Sequence, residues 1–178
     1  PDGRAYGIYN DSSKEIHFGP SLAVFDVKGA EATGIYAGNN REGVKSSIQV
    51  YGNLLFNLDG SRTTGVEAGK NGEVVDHEYL EWAGPAMVSI DVNVNSPHGY
   101  GLYAHDGGVI RLGKATISSG LADAVYAERG GRITFATDSY TGNLKTDGDE
   151  NSHIRASILK SMKGDALGPV SYTHLRAH

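Results

Sequence analysis

The sequence predicts an all-β fold, a parallel β-helix of about five to six turns, and three observations support this prediction. A short phrase of Gly or Ala, an aliphatic residue and then Tyr or Glu recurs five times, as YGIYN, TGIYA, TGVEA, YGLYA and DAVYA. A further aliphatic residue follows most copies at a constant distance. Gly accounts for 25 of the 178 residues, about twice its average usage. Such recurrence is typical of a solenoid, in which each unit packs on its neighbours.

The five copies of the phrase predict the first strand of each turn. They place their small residue at Gly7, Gly34, Gly65, Gly101 and Ala124, at intervals of 27, 31, 36 and 23 residues. The shortest interval suits one turn of a β-helix, and the longer ones suit the same turn with added loops. Because side chains alternate between the faces of a strand, we expect the aliphatic residue to point inward and the following Tyr or Glu outward.

A second strand per turn is predicted from an aliphatic residue eight positions further on, as Ile16 follows Ile8. In one copy the step from Ile35 to Ile48 is 13 residues, which predicts a loop enlarged by five. Stacked turns align these residues in one inward column: Ile16, Ile48, Val74, Ile110 and Ile133. A second inward column is interrupted by a carboxylate: Phe18, Val50, Asp76, Leu112 and Phe135.

A third strand per turn is predicted from four apolar segments, at 22–27, 54–58, 87–94 and 115–117. The segment at 87–94 has the strictest alternation of aliphatic and polar residues, which is the strand pattern. The segment at 153–164 leaves two alternatives open. Its aliphatic residues fit one face of a helix, and its first half also alternates as a strand does.

Charge and composition exclude several classes of function. The chain carries 16 Lys and Arg against 21 Asp and Glu, with no basic run, so it lacks the electrostatic footprint of a nucleic-acid-binding protein. No apolar run reaches the roughly 18 residues of a transmembrane helix, and no signal peptide is visible. There is no Cys, which excludes disulfides, thiolate metal sites and Cys nucleophiles.

The two ends of the chain suggest a fragment. It begins Pro-Asp-Gly without Met, inside a strand pattern, so we expect an internal piece of a longer protein. The last residues, SYTHLRAH at 171–178, fit no column and resemble the translation of a sequencing adapter. We therefore expect a β-helical domain at 1–168 and a non-native tail at 169–178.

The stretch at 100–137 contains two near-copies of the pattern GLYAxxGGxIxLxxxxI. It resembles the pertactin-like passenger domain of type V autotransporters. The resemblance implies a right-handed parallel β-helix at the bacterial cell surface, displayed from the outer membrane or secreted. It also implies a C-terminal outer-membrane β-barrel in the same full-length chain. The implied role is a stalk that presents adhesive, virulence-related loops to a protein or glycan on a host or neighbouring cell.

One outward column is the first candidate recognition surface. It contains Tyr9, Tyr36, Glu67, Tyr103 and Tyr126. Aligned Tyr rings can form an aromatic strip that contacts a glycan or a protein, and we take Tyr36, Tyr103 and Tyr126 as the recognition candidates. The alternative is ordinary side-chain stacking that only stabilises neighbouring turns.

The second candidate surface is the segment VVDHEYLEWAG at 74–84, which falls in the widest interval. It contains Tyr79 and Trp82, the only Trp of the chain. A protruding loop on a rigid scaffold often carries recognition. The alternative is that Trp82 folds back and covers the side of the rod.

We predict no catalytic, cofactor or metal site, and hence no enzyme. A truncated carbohydrate-active β-helix, similar to a pectate lyase or glycosidase, remains the alternative, and it requires carboxylates clustered on one outer sheet face. On the second strands, Arg111 and Arg132 could stack in register, but no carboxylate pair joins them. The acidic stretch TDGDEN at 146–151 lacks the spacing of a calcium loop.

Overall fold

The structure is a computed structural model that describes residues 3–19, 22–76, 90–96, 98–119, 123–137 and 140–158. Within these ranges the chain forms sixteen β-strands and no helix. All strand pairings between them are parallel, and they form three sheets. The predicted all-β class with parallel sheets is therefore confirmed.

The first sheet has six strands, and five of them are the repeated phrases. In spatial order these strands are β1 (Arg4–Asn10), β4 (Glu31–Ala37), β7 (Arg62–Ala68), β10 (Gly99–His105), β13 (Asp123–Glu128) and β15 (Asn143–Thr146).

The second and third sheets contain the remaining strands. The second sheet, in spatial order, is β2 (Ile16–Phe18), β5 (Ser46–Val50), β8 (Gly72–Asp76), β11 (Val109–Leu112), β14 (Arg132–Thr137) and β16 (His153–Ile158). The third sheet is β3 (Ala23–Lys28), β6 (Leu54–Asp59), β9 (Ile90–Asn95) and β12 (Ala115–Ser119). The segment whose secondary structure was open thus begins as a strand, at His153–Ile158.

As far as β14, successive strands belong to the first, second and third sheets in turn: β1, β2 and β3 begin the three sheets, and β4 returns to the first, which completes one circuit. After β14, in the second sheet, the next described strand is β15, in the first. Parallel neighbours need a long connection between them, and here the other two strands of the circuit provide it. The enlarged step between Ile35 and Ile48 contains a loop at 38–45, as predicted. This strand order is consistent with a parallel β-solenoid.

The inward columns stack in the predicted register. Ile48 pairs with Ile16 on one side and Val74 on the other, and Ile110 pairs with Val74 and Ile133. The column continues to Ile154. All of these residues except Ile16 are almost completely buried and belong to one hydrophobic core shared by the three sheets.

Asp76, which interrupts the second column, is also buried, with only 1% of its surface exposed. It pairs in register with Val50, and its carboxylate accepts a hydrogen bond from the backbone N–H of Gly113 at 3.0 Å. A buried carboxylate is tolerated when such donors compensate its lost hydration. The backbone N–H of Gly113, between β11 and β12, therefore helps to compensate the buried Asp76 carboxylate in this column.

The corner between the first and second sheets repeats in three circuits. Asn71, Gly107 and Gly130 have φ angles of 59°, 82° and 81°, in the left-handed region that favours Gly and Asn. The next residue in all three corners is a Gly with no room for a side chain: a Cβ on Gly108, for example, would lie 2.0 Å from the carbonyl oxygen of Ala68. The glycine pairs in DGG and RGG are thus required by the backbone path.

Candidate ligand-binding groove

The predicted outward column lies on the outer face of the first sheet. Tyr9 pairs with Tyr36, Glu67 lies between Tyr36 and Tyr103, and Tyr126 follows. The aliphatic residues beside them are buried, so the expected orientation of both columns is confirmed. The column extends to Lys145, whose Nζ lies 5.7 Å from the centroid of the Tyr126 ring.

A glycine in the repeated phrase brings additional Tyr side chains to this face. The register runs from Tyr6–Thr33 directly to Ile8–Ile35 and omits the Gly7–Gly34 position. A Cβ on Gly34 would lie 2.5 Å from the carbonyl oxygen of Gly65 and 2.9 Å from the ring of Phe56, which is in the core. Because the alternation of side chains is interrupted there, Tyr6 and Tyr9 share one face although they are three residues apart.

The Tyr side chains form two clusters. In the first, the Tyr6 and Tyr9 rings meet edge to face at 4.8 Å, and the Tyr9 and Tyr36 rings stack at 5.2 Å. In the second, Tyr100 lies 4.7 Å from Tyr103 and 5.2 Å from Tyr126, while Tyr103 and Tyr126 stack at 5.8 Å with an interplanar angle of 5°. Each cluster is held by its own aromatic contacts and needs no ligand to order it.

A groove of about 530 Å³ separates the two clusters. The Tyr clusters form two of its walls, and the short side chains of Thr33 and Thr64 lie between them on strands β4 and β7. At these matching positions, the large side chains of Tyr6 and Tyr100 on the outer strands flank the small Thr side chains on the central strands, which makes the surface concave.

Charged side chains of both signs line the same groove. They include Arg4, Arg62, Glu31, Glu67 and Asp123. Arg4 Nε binds the Glu31 carboxylate at 2.8 Å, and Lys145 Nζ lies 3.8 Å from Asp123. The groove therefore offers hydrogen-bond donors and acceptors without a strong excess of either charge.

Glu67, which lines the groove, also belongs to a network of charged groups that continues through His105. The His105 ring is bonded to Glu67 at 2.9 Å through Nε2 and to Asp106 at 2.6 Å through Nδ1, and it stacks on Tyr103 at 4.6 Å. Asp106 in turn accepts two hydrogen bonds from the Arg129 guanidinium, at 2.8 and 3.0 Å.

Burial and these partners shift several pKa values. Burial lowers the pKa of His105, but the bonds to Glu67 and Asp106 outweigh it, so that the pKa is raised. The Arg129 guanidinium, followed by His105, holds the pKa of Asp106 well below its usual range. Burial, followed by the nearby Glu67 carboxylate, raises the pKa of Tyr36 to about 12, so its hydroxyl keeps its proton to a higher pH than an ordinary Tyr does.

Of the predicted recognition residues, Tyr36 and Tyr103 line the groove. The ring of Tyr126 stacks on Tyr103 but is not part of the groove lining. Their role in recognition stays a prediction. Tyr79 and Trp82 lie outside the described residues.

Sequence reasoning missed Tyr6 and Tyr100, because a spacing of three places residues on opposite faces of a regular strand. The signal that was available is the Tyr-Gly-aliphatic-Tyr arrangement itself, which occurs twice. A glycine between the two Tyr residues marks the point at which a strand can depart from regular alternation.

One expectation for the second sheet is wrong. Arg111 pairs with Thr134, and Arg132 pairs with Val109, so Arg111 and Arg132 do not stack in register. The eight-residue step aligns Ile110 with Ile133, which places Arg132 one position before that pair and Arg111 one position after it.

Within the part of the chain that the structure describes, no group of three or more His, Cys, Asp or Glu residues is placed to hold a metal ion. In the same ranges, no helix has the length and apolar character required to span a bilayer. The chain matches no protein-family model, no curated protein and no solved structure.

Proposed function

We propose that this chain is a segment of a right-handed parallel β-helix, displayed at the bacterial surface as the passenger of an autotransporter. In this proposal the segment is a stiff stalk with an adhesive face. The observation that carries the proposal is the grooved Tyr surface on the first sheet, built on parallel strands that stack in register.

Rigidity is the mechanical part of the proposed role. Each central strand is hydrogen-bonded on both sides, and one apolar core runs beneath all three sheets. A recognition surface on such a scaffold loses little conformational freedom when it binds, which favours affinity. The Tyr clusters are already ordered by their mutual contacts.

The proposed partners follow from this role. The adhesive face contacts a protein or glycan on a host or neighbouring cell. A C-terminal outer-membrane β-barrel of the same full-length chain displays the segment. The resemblance of 100–137 to autotransporter passengers supports both statements.

The test is surface display. The chain is fused to an autotransporter β-barrel in a non-adherent Gram-negative host, and the binding of these cells to cultured epithelial cells and to each other is measured. We expect the fused chain to appear at the cell surface, where external protease can remove it. We also expect these cells to adhere more than the parent host does. Replacing Tyr36, Tyr103 and Tyr126 by Ala should reduce adhesion, whereas replacing Tyr51, which follows β5 beside the second sheet, should not. Displayed cells that adhere no better than the parent host would contradict the proposal.

The groove is also the observation that favours a second candidate, a carbohydrate-active β-helix enzyme, because it gathers the carboxylates of Glu31, Glu67 and Asp123 on one sheet. Hydrolysis of a glycosidic bond requires a pair of carboxyl groups in suitable protonation states. Here each of the three already contacts a cationic or protonatable partner. Release of reducing ends from a panel of polysaccharides would establish the enzyme. Unchanged polysaccharides would leave adhesion as the role.

A further inference from the structure

We propose that the groove between the two Tyr clusters binds an uncharged oligosaccharide. This assignment rests on the adhesive role proposed above, of which it names the ligand class and the binding surface. The groove on the sheet face, rather than a protruding loop, is then the recognition site.

The shape of the groove fits a small number of sugar rings. Tyr6, Thr33, Thr64 and Tyr100 occupy four adjacent strands at matching positions. Strands in a sheet lie about 4.8 Å apart, so the outer two backbone positions are roughly 14 Å apart. The two intervening Thr side chains are short and leave space above them. The volume of about 530 Å³ falls within the range of small-ligand sites.

The distribution of charge favours a neutral ligand. Arg4 and Arg62 line the groove together with Glu31, Glu67 and Asp123. An anionic ligand meets three carboxylates, and a cationic ligand meets two guanidinium groups. An apolar ligand removes water from all five charged groups without replacing its hydrogen bonds, which is costly.

A sugar satisfies both kinds of group. Each hydroxyl can donate to a carboxylate and accept from a guanidinium, and the Tyr and Thr hydroxyls can take either role. The C–H faces of a pyranose ring are apolar and can pack on Tyr rings, which present large surfaces at little conformational cost. The groove offers both hydrogen-bonding groups and aromatic surfaces. Its walls are Tyr rings, and its charged and hydroxyl groups lie at its ends and on its floor.

A peptide is a poorer occupant. Extended peptides gain most of their affinity by pairing with a free strand edge. Strands β4 and β7, which form the floor, are both hydrogen-bonded on each side, so no backbone edge is available in the groove.

The test measures binding of defined tetrasaccharides to the full chain by titration calorimetry and saturation-transfer NMR. Neutral probes are cellotetraose, maltotetraose, mannotetraose and N-acetylchitotetraose. A heparin-derived tetrasaccharide and a chitosan tetramer serve as anionic and cationic probes. We expect at least one neutral probe to bind, with saturation transfer to its ring protons, and to bind more tightly than either charged probe. Binding of charged probes alone, or of none, overturns the proposal.

Two variants locate the site. Tyr100→Leu removes part of one wall, and Arg62→Ala removes an exposed guanidinium at the end of the groove. Each should weaken binding of the neutral probe at least about fivefold, as expected for the loss of one aromatic or charged contact. The matched controls are Tyr51→Leu, just after β5, and Arg132→Ala, in β14 of the second sheet; each should change binding less than twofold. Because Arg62 is exposed, its variant should fold even if Tyr100→Leu does not. Equal binding by groove and control variants overturns the assignment.

This experiment can fail separately from the test of the adhesive role. If displayed cells adhere but the chain binds no neutral probe, the adhesive role stands and the groove assignment is wrong. If the chain binds a neutral probe through Tyr100 and Arg62 but displayed cells do not adhere, the groove assignment stands and the adhesive role is wrong.

Discussion

At the scale of single residues, His105 contacts both Glu67, which lines the groove, and Asp106, which lies at the corner before β11. Only 17% of its side chain is exposed, and its two ring nitrogens face the carboxylates of Glu67 and Asp106. Its raised pKa means that the folded chain binds a proton more tightly than the unfolded chain does. Protonation of His105 is therefore linked to stability.

This linkage gives a pH-dependent prediction. Stability from protonated His105 is fully present below the unfolded pKa near 6.5 and is lost as pH rises through the higher folded pKa. His105→Gln should lower the melting temperature most below pH 6.5, by about 2–4 °C for each kcal/mol lost. The difference from the native chain should shrink as pH rises. Thermal melts from pH 5 to 9 measure it, with His17→Gln as the exposed control. A pH-independent difference would contradict the prediction.

The residue scale also shows where sequence reasoning succeeded and where it stopped. The repeated phrase predicted that Tyr9, Tyr36, Glu67, Tyr103 and Tyr126 align, because a fixed phrase repeated along stacked strands must place like residues together. It did not predict the groove. That depends on the break in alternation that turns Tyr6 and Tyr100 outward, and on the small size of Thr33 and Thr64. The bond between His105 and Glu67 joins residues 38 positions apart, and no local pattern indicates it.

At the scale of strands, the tightest constraint lies at the corner before β11. Gly107 needs a positive φ but has open space around it, whereas a Cβ on Gly108 would lie 2.0 Å from the Ala68 carbonyl oxygen. The chain thus contains two adjacent glycines that are required for different reasons.

Substitutions at this pair separate the two reasons. Gly107→Ala should cost about 1–2 kcal/mol, because only the left-handed backbone is strained. Gly108→Ala should cost about 3 kcal/mol or more, since the backbone of β7 or β11 must shift. Urea unfolding followed by circular dichroism measures both free energies of unfolding. Equal losses of unfolding free energy in the two variants would contradict the close packing of Gly108 against the Ala68 carbonyl.

A second prediction at this scale concerns the two faces of β11. Ile110 is completely buried in the inward column, and Arg111 beside it is exposed. Ile110→Asp buries an unpaired carboxylate and should cost about 3–5 kcal/mol. Arg111→Asp introduces the same side chain on the outer face and should change the free energy of unfolding by less than about 1 kcal/mol. Similar losses in both variants would contradict the assigned faces.

At the scale of the whole molecule, each strand contacts mainly the strands one circuit before and after it. Stability in such an array is approximately a sum of nearest-neighbour terms. The all-β class and the stacking order were predictable from the repeat, because the phrase recurs once per circuit. The structure of 153–158 was not predictable, since its aliphatic spacing fits both a helix and a strand.

Nearest-neighbour coupling predicts how damage spreads. In Ile110→Asp, amide hydrogen exchange should accelerate first in β8, β10, β11, β13 and β14, with protection retained in β1 and β4. The reason is that local opening depends on the contacts of the opened unit. Exchange measured by mass spectrometry on peptic peptides tests this pattern. Uniform loss of protection along the chain would show a single cooperative unit instead.

The central claim is that each strand pairs in parallel with the strand one circuit further along the chain. Scalar couplings across hydrogen bonds, measured by NMR on labelled protein, read this pairing directly. We expect couplings from the N–H of Gly69 to the carbonyl of Ala37, from Arg132 to Gly108 and from Ala23 to Asn53, one in or beside each sheet. Couplings that instead join β1 to β2 or β2 to β3 as antiparallel hairpins would contradict the account.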